Sequence, residues 1–208
     1  MPQPDRWVRV MPAMVGTPSL EWALALTGSR RDDVDHLLDA SPPGANGMVV
    51  LPFLAPAGER APFVDPAARG QLLGLSLEST RSDIVRAVCE GIGYATRHCL
   101  QSAGLGTEAR VFLSGGGVRA ARWRQALADV LQRPLALARQ PETGARGAAM
   151  AALTAAGRPV DAEAWTRPDA VVGPRENLAT LYDEGFAFYR DRLDAARGHW
   201  RGPLGAAR

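Results

Sequence analysis

Residues 111–130 read VFLSGGGVRAARWRQALADV. Val111, Phe112 and Leu113 form a β-branched and aromatic run, three glycines break it, and Trp123, Leu127 and Val130 then recur at helical spacing. A strand that feeds a helix through glycines aims free backbone N–H groups and a positive dipole end at whatever lies above the turn. Such a turn suits an anion, although glycines also serve where the chain need only turn tightly. A further pattern overlaps it, because Gly115, Gly117 and Ala120 satisfy the dinucleotide fingerprint G-x-G-x-x-[G/A]. That fingerprint asks for an acidic residue about 20 positions on. Arg139 stands near there and Glu142 comes late; an arginine would suit a 2′-phosphate, so an NAD(P) reading stays open at this point.

Working outward, the downstream segment PLALAR reads as a second strand, and ETGARGAAMAALTAAG as a helix with a small-residue face that Thr143 could cap. Strand, helix, strand, helix implies an α/β fold with a partly parallel sheet, whose ligands sit at the carboxyl ends of the strands. Upstream, Thr80 and Asp83 form a capping box ahead of the longest helix, expected over Ser82 to Ser102, with Ile84, Val88, Ile92, Ala95 and Cys99 as its stripe. MVVLPFL reads as a strand and APAGERAPFVDPAARG as a proline-rich loop. RWVRVMPAMV reads as a short strand, Ser19 to Leu26 and DDVDHLLDASPPG as short helices, and Glu176 to Arg197 as a final amphipathic helix after a charged, proline-rich loop.

Composition narrows the chemistry. The 208 residues carry a formal charge of +2, too little to argue for nucleic acid, and no stretch is apolar enough to cross a membrane. MPQPDRWVRV has no signal-peptide core, so a cytoplasmic location is expected. Cys89 and Cys99 lie about 15 Å apart along one helix, beyond disulfide reach, and are expected reduced. His36, His98 and His199 show no metal-ligand spacing. All 24 basic residues are arginine. Without lysine there is neither a Walker P-loop nor Schiff-base chemistry, and any phosphate must be met by amides, arginine or a metal ion.

Three blocks, GERAPFVDPAARGQLLGLSLESTRSDIVRAVCEGIGYATR, SGGGVRAARWRQALADVLQRPL and ETGARGAAMAALTAAG, resemble in order and spacing the C-terminal half of FGGY-type carbohydrate kinases. The resemblance runs from Trp7 to Gly157, and the GERAPF form is closer to the pentulose and polyol kinases than to glycerol kinase. It implies an actin-like, ribonuclease H-like domain, the C-terminal half of a two-domain sugar kinase. Residues 1–160 would form this nucleotide-binding domain, lacking its first strands, and residues 161–208 a loop and helix packed on it. ATP with Mg²⁺ would lie in the interdomain cleft, and a pentulose or polyol would be phosphorylated.

On the family pattern, Gly115, Gly116 and Gly117 would lie against the α-phosphate and ribose. Ala120 stands where relatives often carry Ser or Asn. Gly16 matches a glycine near the purine, Glu21 a nearby polar position, and Gly144 and Ala145 would border adenine. Trp123 reads as core rather than ligand. Glu59, Arg60, Asp65 and Arg69 read as Arg–carboxylate pairs pinning the proline-rich loop, and Arg86 with Glu90 as a surface or inter-element pair.

The sequence contains no Asp-Gly-Thr phosphate motif. The family's catalytic aspartate and second Gly-Thr phosphate loop have no match either, so no catalytic residue is assigned and the chain alone is expected to be inactive. Further expectations are an N-terminal kinase half or a second copy as partner, and an apolar sheet edge that favours association. An oxidoreductase segment binding NAD(P) and a non-catalytic interaction module remain as alternatives.

Overall fold

In the computed structural model the described residues are 8–106, 108–115, 119–139, 142–158 and 160–201. Gly116 and Gly117, two of the three turn glycines, fall outside them. The centre of the molecule is helix α3 (Arg81–Ser102), around which α1 (Thr17–Leu26), α2 (Val34–Asp39), α4 (Ala121–Leu131) and α7 (Ala179–Arg197) gather. Its start is set by the sequence as expected. The Thr80 hydroxyl accepts from the Asp83 amide at 3.3 Å, and the Asp83 carboxylate accepts from the Thr80 amide at 2.9 Å. Asp83 is also buried and accepts from Ser41 at 2.6 Å and Asn46 at 2.9 Å. Burial pushes its carboxyl upward, but these hydrogen bonds outweigh burial and hold it below the usual carboxylate range.

Two sheets flank α3. Strands β1 (Val49–Leu51) and β2 (Gln71–Leu73) pair antiparallel, and β1 lies directly on the helix. Gly91 makes that approach possible, since a Cβ there would stand 2.6 Å from the Val50 carbonyl oxygen. The second sheet has the order β3 (Val111–Leu113), β4 (Leu135–Ala138), β5 (Pro168–Val172). β3 and β4 are parallel and joined through α4, as expected. β5 adds antiparallel to β4 in a region read from sequence as loop. It begins on a proline and is largely exposed, and such an edge strand gives neither alternation nor an apolar run to detect.

Three other expectations are corrected. Val8 to Val10 form no strand. α5 (Thr143–Ala155) begins at Thr143 but has Glu142 as its N-cap and no side-chain cap. A short helix, α6 (Ala162–Thr166), capped by Asp161, precedes β5.

The interior has two apolar clusters. One joins α1, α2, α3 and α4 through Leu24, Leu37, Val88, Ile92, Trp123 and Leu127. The other joins α3 to β1 and α7 through Tyr94, Leu51, Tyr182, Phe186, Tyr189 and Trp200. Between them sits a buried polar node. Arg86 and Glu90 pair at 3.1 Å, and Glu90 also accepts from the Tyr182 hydroxyl at 2.9 Å and the Gly44 amide at 3.1 Å. Arg86 donates to the Leu38 carbonyl at the end of α2. The pair is therefore an interior one that ties four segments together; a surface position for it is ruled out. Burial raises the Glu90 pKa, with Arg86, the Gly44 amide and Tyr182 pulling against it. Cys89 and Cys99 are buried and free, and burial together with Glu59 pushes the Cys99 thiol up to about 11. No helix among the described residues is long and apolar enough to cross a membrane.

Candidate functional site

Glu59, Arg60, Asp65 and Arg69 do not converge as a catalytic group. The loop they occupy is pinned mainly by carboxylate-to-amide bonds; of the Arg–carboxylate pairs expected, none forms among these four residues, though Asp65 pairs with an arginine from outside the loop. Glu59 is 1% exposed, and one of its oxygens accepts from the amides of Met14 at 2.7 Å, Arg60 at 2.8 Å and Ala61 at 3.3 Å. Glu59 and Asp65 also exchange both backbone bonds at 3.0 Å. Arg69 donates to the carbonyls of Pro66 and Ala68, and the nearest cation to Asp65 is Arg201 at 3.6 Å. A buried carboxylate can stand in for a missing turn of secondary structure in this way.

Two of the residues singled out around the glycines converge. Glu21 on α1 and Ala120 before α4 line one cavity of about 270 Å³. Leu20, Val34 and Trp123, all nearly fully buried, make its apolar floor, and Trp123 is core as its spacing suggested. The rim is charged, formed by Glu21, Arg31, Asp32, Asp35 and Arg119. Arg31 pairs with Glu21. Gly16 is the N-cap of α1, and its neighbour Thr17 lines the cavity.

Gly115, five residues before Ala120, has φ of +95°, a conformation that favours glycine, and a Cβ there would meet nothing within 4 Å. The turn is therefore not plugged by neighbouring side chains at its described residue. Thr143 reaches Ser114 at 3.4 Å, which brings the first turn of α5, with Gly144 and Ala145, beside the residue that precedes Gly115. Gly144 and Ala145 do not line the Glu21–Ala120 cavity; Ala145 borders a separate shallow cleft with Glu142, Arg146 and Trp165. A larger, mainly apolar cleft of about 480 Å³ adjoins it, walled by Phe112, Ser114, Met150, Trp165 and Arg167.

One residue that sequence reasoning missed alters the electrostatics. Asp35 of α2 accepts from the Ala121 amide at 3.1 Å and the Arg122 amide at 2.8 Å. These are the first amides of α4, so a carboxylate of the protein already occupies the N-terminus expected to face an anion. Arg122 then pairs with Asp39, one turn along α2, at 2.8 Å. No spacing rule links Asp35 to a helix start so distant in the chain. A run of four acidic residues in DDVDHLLD was the only local hint.

Among the described residues no group of three or more His, Cys, Asp or Glu could hold a metal ion. The donor set thus does not fit a dedicated magnesium cage.

With the geometry in place, similarity to known proteins is informative. The model of the FGGY family of carbohydrate kinases, C-terminal domain, matches residues 4–156. The erythritol kinase of Brucella abortus is 31% identical across 96% of this chain and 42% of its own length. A xylulose kinase of Staphylococcus epidermidis is 30% identical across 89% of this chain and 39% of its own. Among solved structures, the ligand-bound xylulose kinase from Lactobacillus acidophilus superposes with a TM-score of 0.83 at 23% identity, over 91% of this chain and 40% of that one. The xylulose kinase from Rhodospirillum rubrum does so with 0.76 at 29% identity, over 90% of this chain and 39% of that one. The chain spans about two-fifths of the length of these relatives.

Proposed function

Because the chain belongs to the FGGY family of carbohydrate kinases, as its C-terminal domain with an actin-like ATPase fold, we propose that it is the nucleotide-gripping part of an ATP-dependent sugar kinase. The acceptor in this reading is a pentulose or polyol hydroxyl, the class named by its xylulose and erythritol kinase relatives. The nucleoside occupies the cavity between Glu21 and Ala120, with Gly16 at its α1 end. The phosphates lie against the turn of Gly115, Gly116 and Gly117, while Gly144 and Ala145, expected beside adenine, stand outside the lining of that cavity.

The observation that carries the reading is the meeting of Glu21 and Ala120 in one charged-rimmed cavity, with Gly115, five residues before Ala120, facing open space. Bare peptide there leaves room for a ligand that any side chain would displace. Magnesium, bound with the nucleotide, would supply neutralisation of the phosphate charge. The dinucleotide reading gives way to the family match, whose members are sugar kinases.

Phosphoryl transfer needs positioning from groups that this sequence does not contain, so the 208-residue chain alone binds nucleotide without transferring phosphate. Thermal-shift titrations with Mg·ATP, ADP and NADPH test the assignment. ATP and ADP raise the melting temperature and NADPH does not; a shift with NADPH alone reverses the conclusion. Sugar-dependent ADP release from the purified chain at a kinase-like rate refutes the inactivity.

A further inference from the structure

The cavity rim holds arginines whose commitments differ. On the rim Arg31 is taken by Glu21; off the rim, at the start of α4, Arg122 is taken by Asp39. Arg119 lines the cavity, is exposed, and makes no ion pair among the described residues. It stands between the glycine turn and Ala120, and with no lysine in the chain only arginine can supply a side-chain cation here. The usual anion seat, the first turn of α4, is filled by Asp35. A phosphate arriving at α4 would meet that carboxylate and be repelled.

We propose that Arg119 is the specificity-determining cation of this site. Its guanidinium grips the phosphates of the bound nucleotide, while Asp35 keeps them off the helix start and over the glycines. The proposal rests on the nucleotide reading above and adds the residue that distinguishes a nucleotide from its nucleoside. Its chemistry is a charge-assisted, fork-shaped contact to phosphate oxygens, which lysine reproduces only as a point charge.

Isothermal titration of adenosine and of ADP, with magnesium and at fixed salt, measures the contribution directly. The wild-type chain, Arg119→Gln, Arg119→Lys and the distant control Arg192→Gln are compared. Arg192 pairs with Asp191 on α7 and controls for the loss of one positive charge. In the wild type ADP binds more tightly than adenosine. Arg119→Gln lowers that preference by about 10-fold or more, ADP affinity falling further than adenosine affinity, because a charge-assisted contact to phosphate is lost. Arg119→Lys retains part of the preference, and Arg192→Gln retains all of it.

An unchanged ADP-to-adenosine ratio in Arg119→Gln overturns the proposal and leaves the nucleotide reading standing. Equal losses for both ligands also overturn it, since Arg119 would then shape the cavity. Failure of the wild-type chain to bind either ligand removes the nucleotide reading and this proposal together.

Discussion

Helices α3 and α5 were both legible in the sequence, α3 by its apolar stripe and α5 by a small-residue face suited to close packing, yet they hold opposite positions in the molecule. α3 buries fifteen of its 22 residues, among them Asp83, Arg86, Glu90 and His98. α5 buries none of its 13. A periodic stripe records which face seeks cover, but not how much cover it finds. Where α3 is covered, Asp83, Arg86 and Glu90 each find a partner from another segment. Where α5 is open, its small residues face space and its first turn reaches Ser114, just before Gly115.

The largest effect that separates the two regions is removal of Glu90. Glu90→Ala strands the Arg86 guanidinium in the interior and is expected to cost about 3–5 kcal/mol by urea denaturation. Glu21→Ala, which breaks the exposed pair with Arg31, costs about 0–1 kcal/mol on the same assay. Comparable losses at the two positions would erase the contrast between interior and rim.

Next comes a glycine-to-alanine exchange made once in each helix. Gly91→Ala drives a methyl onto the Val50 carbonyl and is expected to destabilise by about 1–3 kcal/mol. Gly147→Ala on α5 meets nothing within 4 Å and should stabilise by about 0.5–1 kcal/mol through helix propensity. Equal signs in thermal melts would mean that α5 is as tightly covered as α3.

A pH dependence sharpens the same point. Burial, aided by Arg190, pushes the His98 pKa down to about 4 from its ordinary 6.5, with Asp194 pulling it back. Between those values the unfolded chain binds a proton that the folded chain does not, so stability falls as pH drops from about 6.5 toward 4. Asp83, held below the usual carboxylate range, adds a further loss as pH falls through its folded pKa. His98→Leu should flatten the acid-side decline of the melting temperature between pH 6.5 and 4. An unaltered slope would show that His98 is solvated in the native state.

Local chemistry made much of this readable. Thr80 and Asp83 announce the start of α3 because a capping box lies within four residues. The β3–α4–β4 unit is marked by a β-rich run, a glycine break and a helical stripe in succession. Glu21 and Ala120 were nominated by resemblance, and the fold placed them in one cavity. The features that escaped join segments distant in sequence. Asp35 crosses from α2 to α4, Glu90 reaches Gly44 and Tyr182, and Glu59 reaches Met14. A carboxylate looks the same in a sequence whether it meets water or a buried amide. β5 escaped for a related reason, since an exposed edge strand carries no burial pattern.

The central claim is that the cavity between Glu21 and Ala120 receives the nucleoside. Titrating ADP into Ala120→Phe, beside a melt confirming that the half-exposed position tolerates the ring, tests it most directly. The account predicts at least a roughly 10-fold loss of ADP affinity, above 1.4 kcal/mol, with the melting temperature little changed. ADP binding at wild-type strength in a folded Ala120→Phe chain would contradict it.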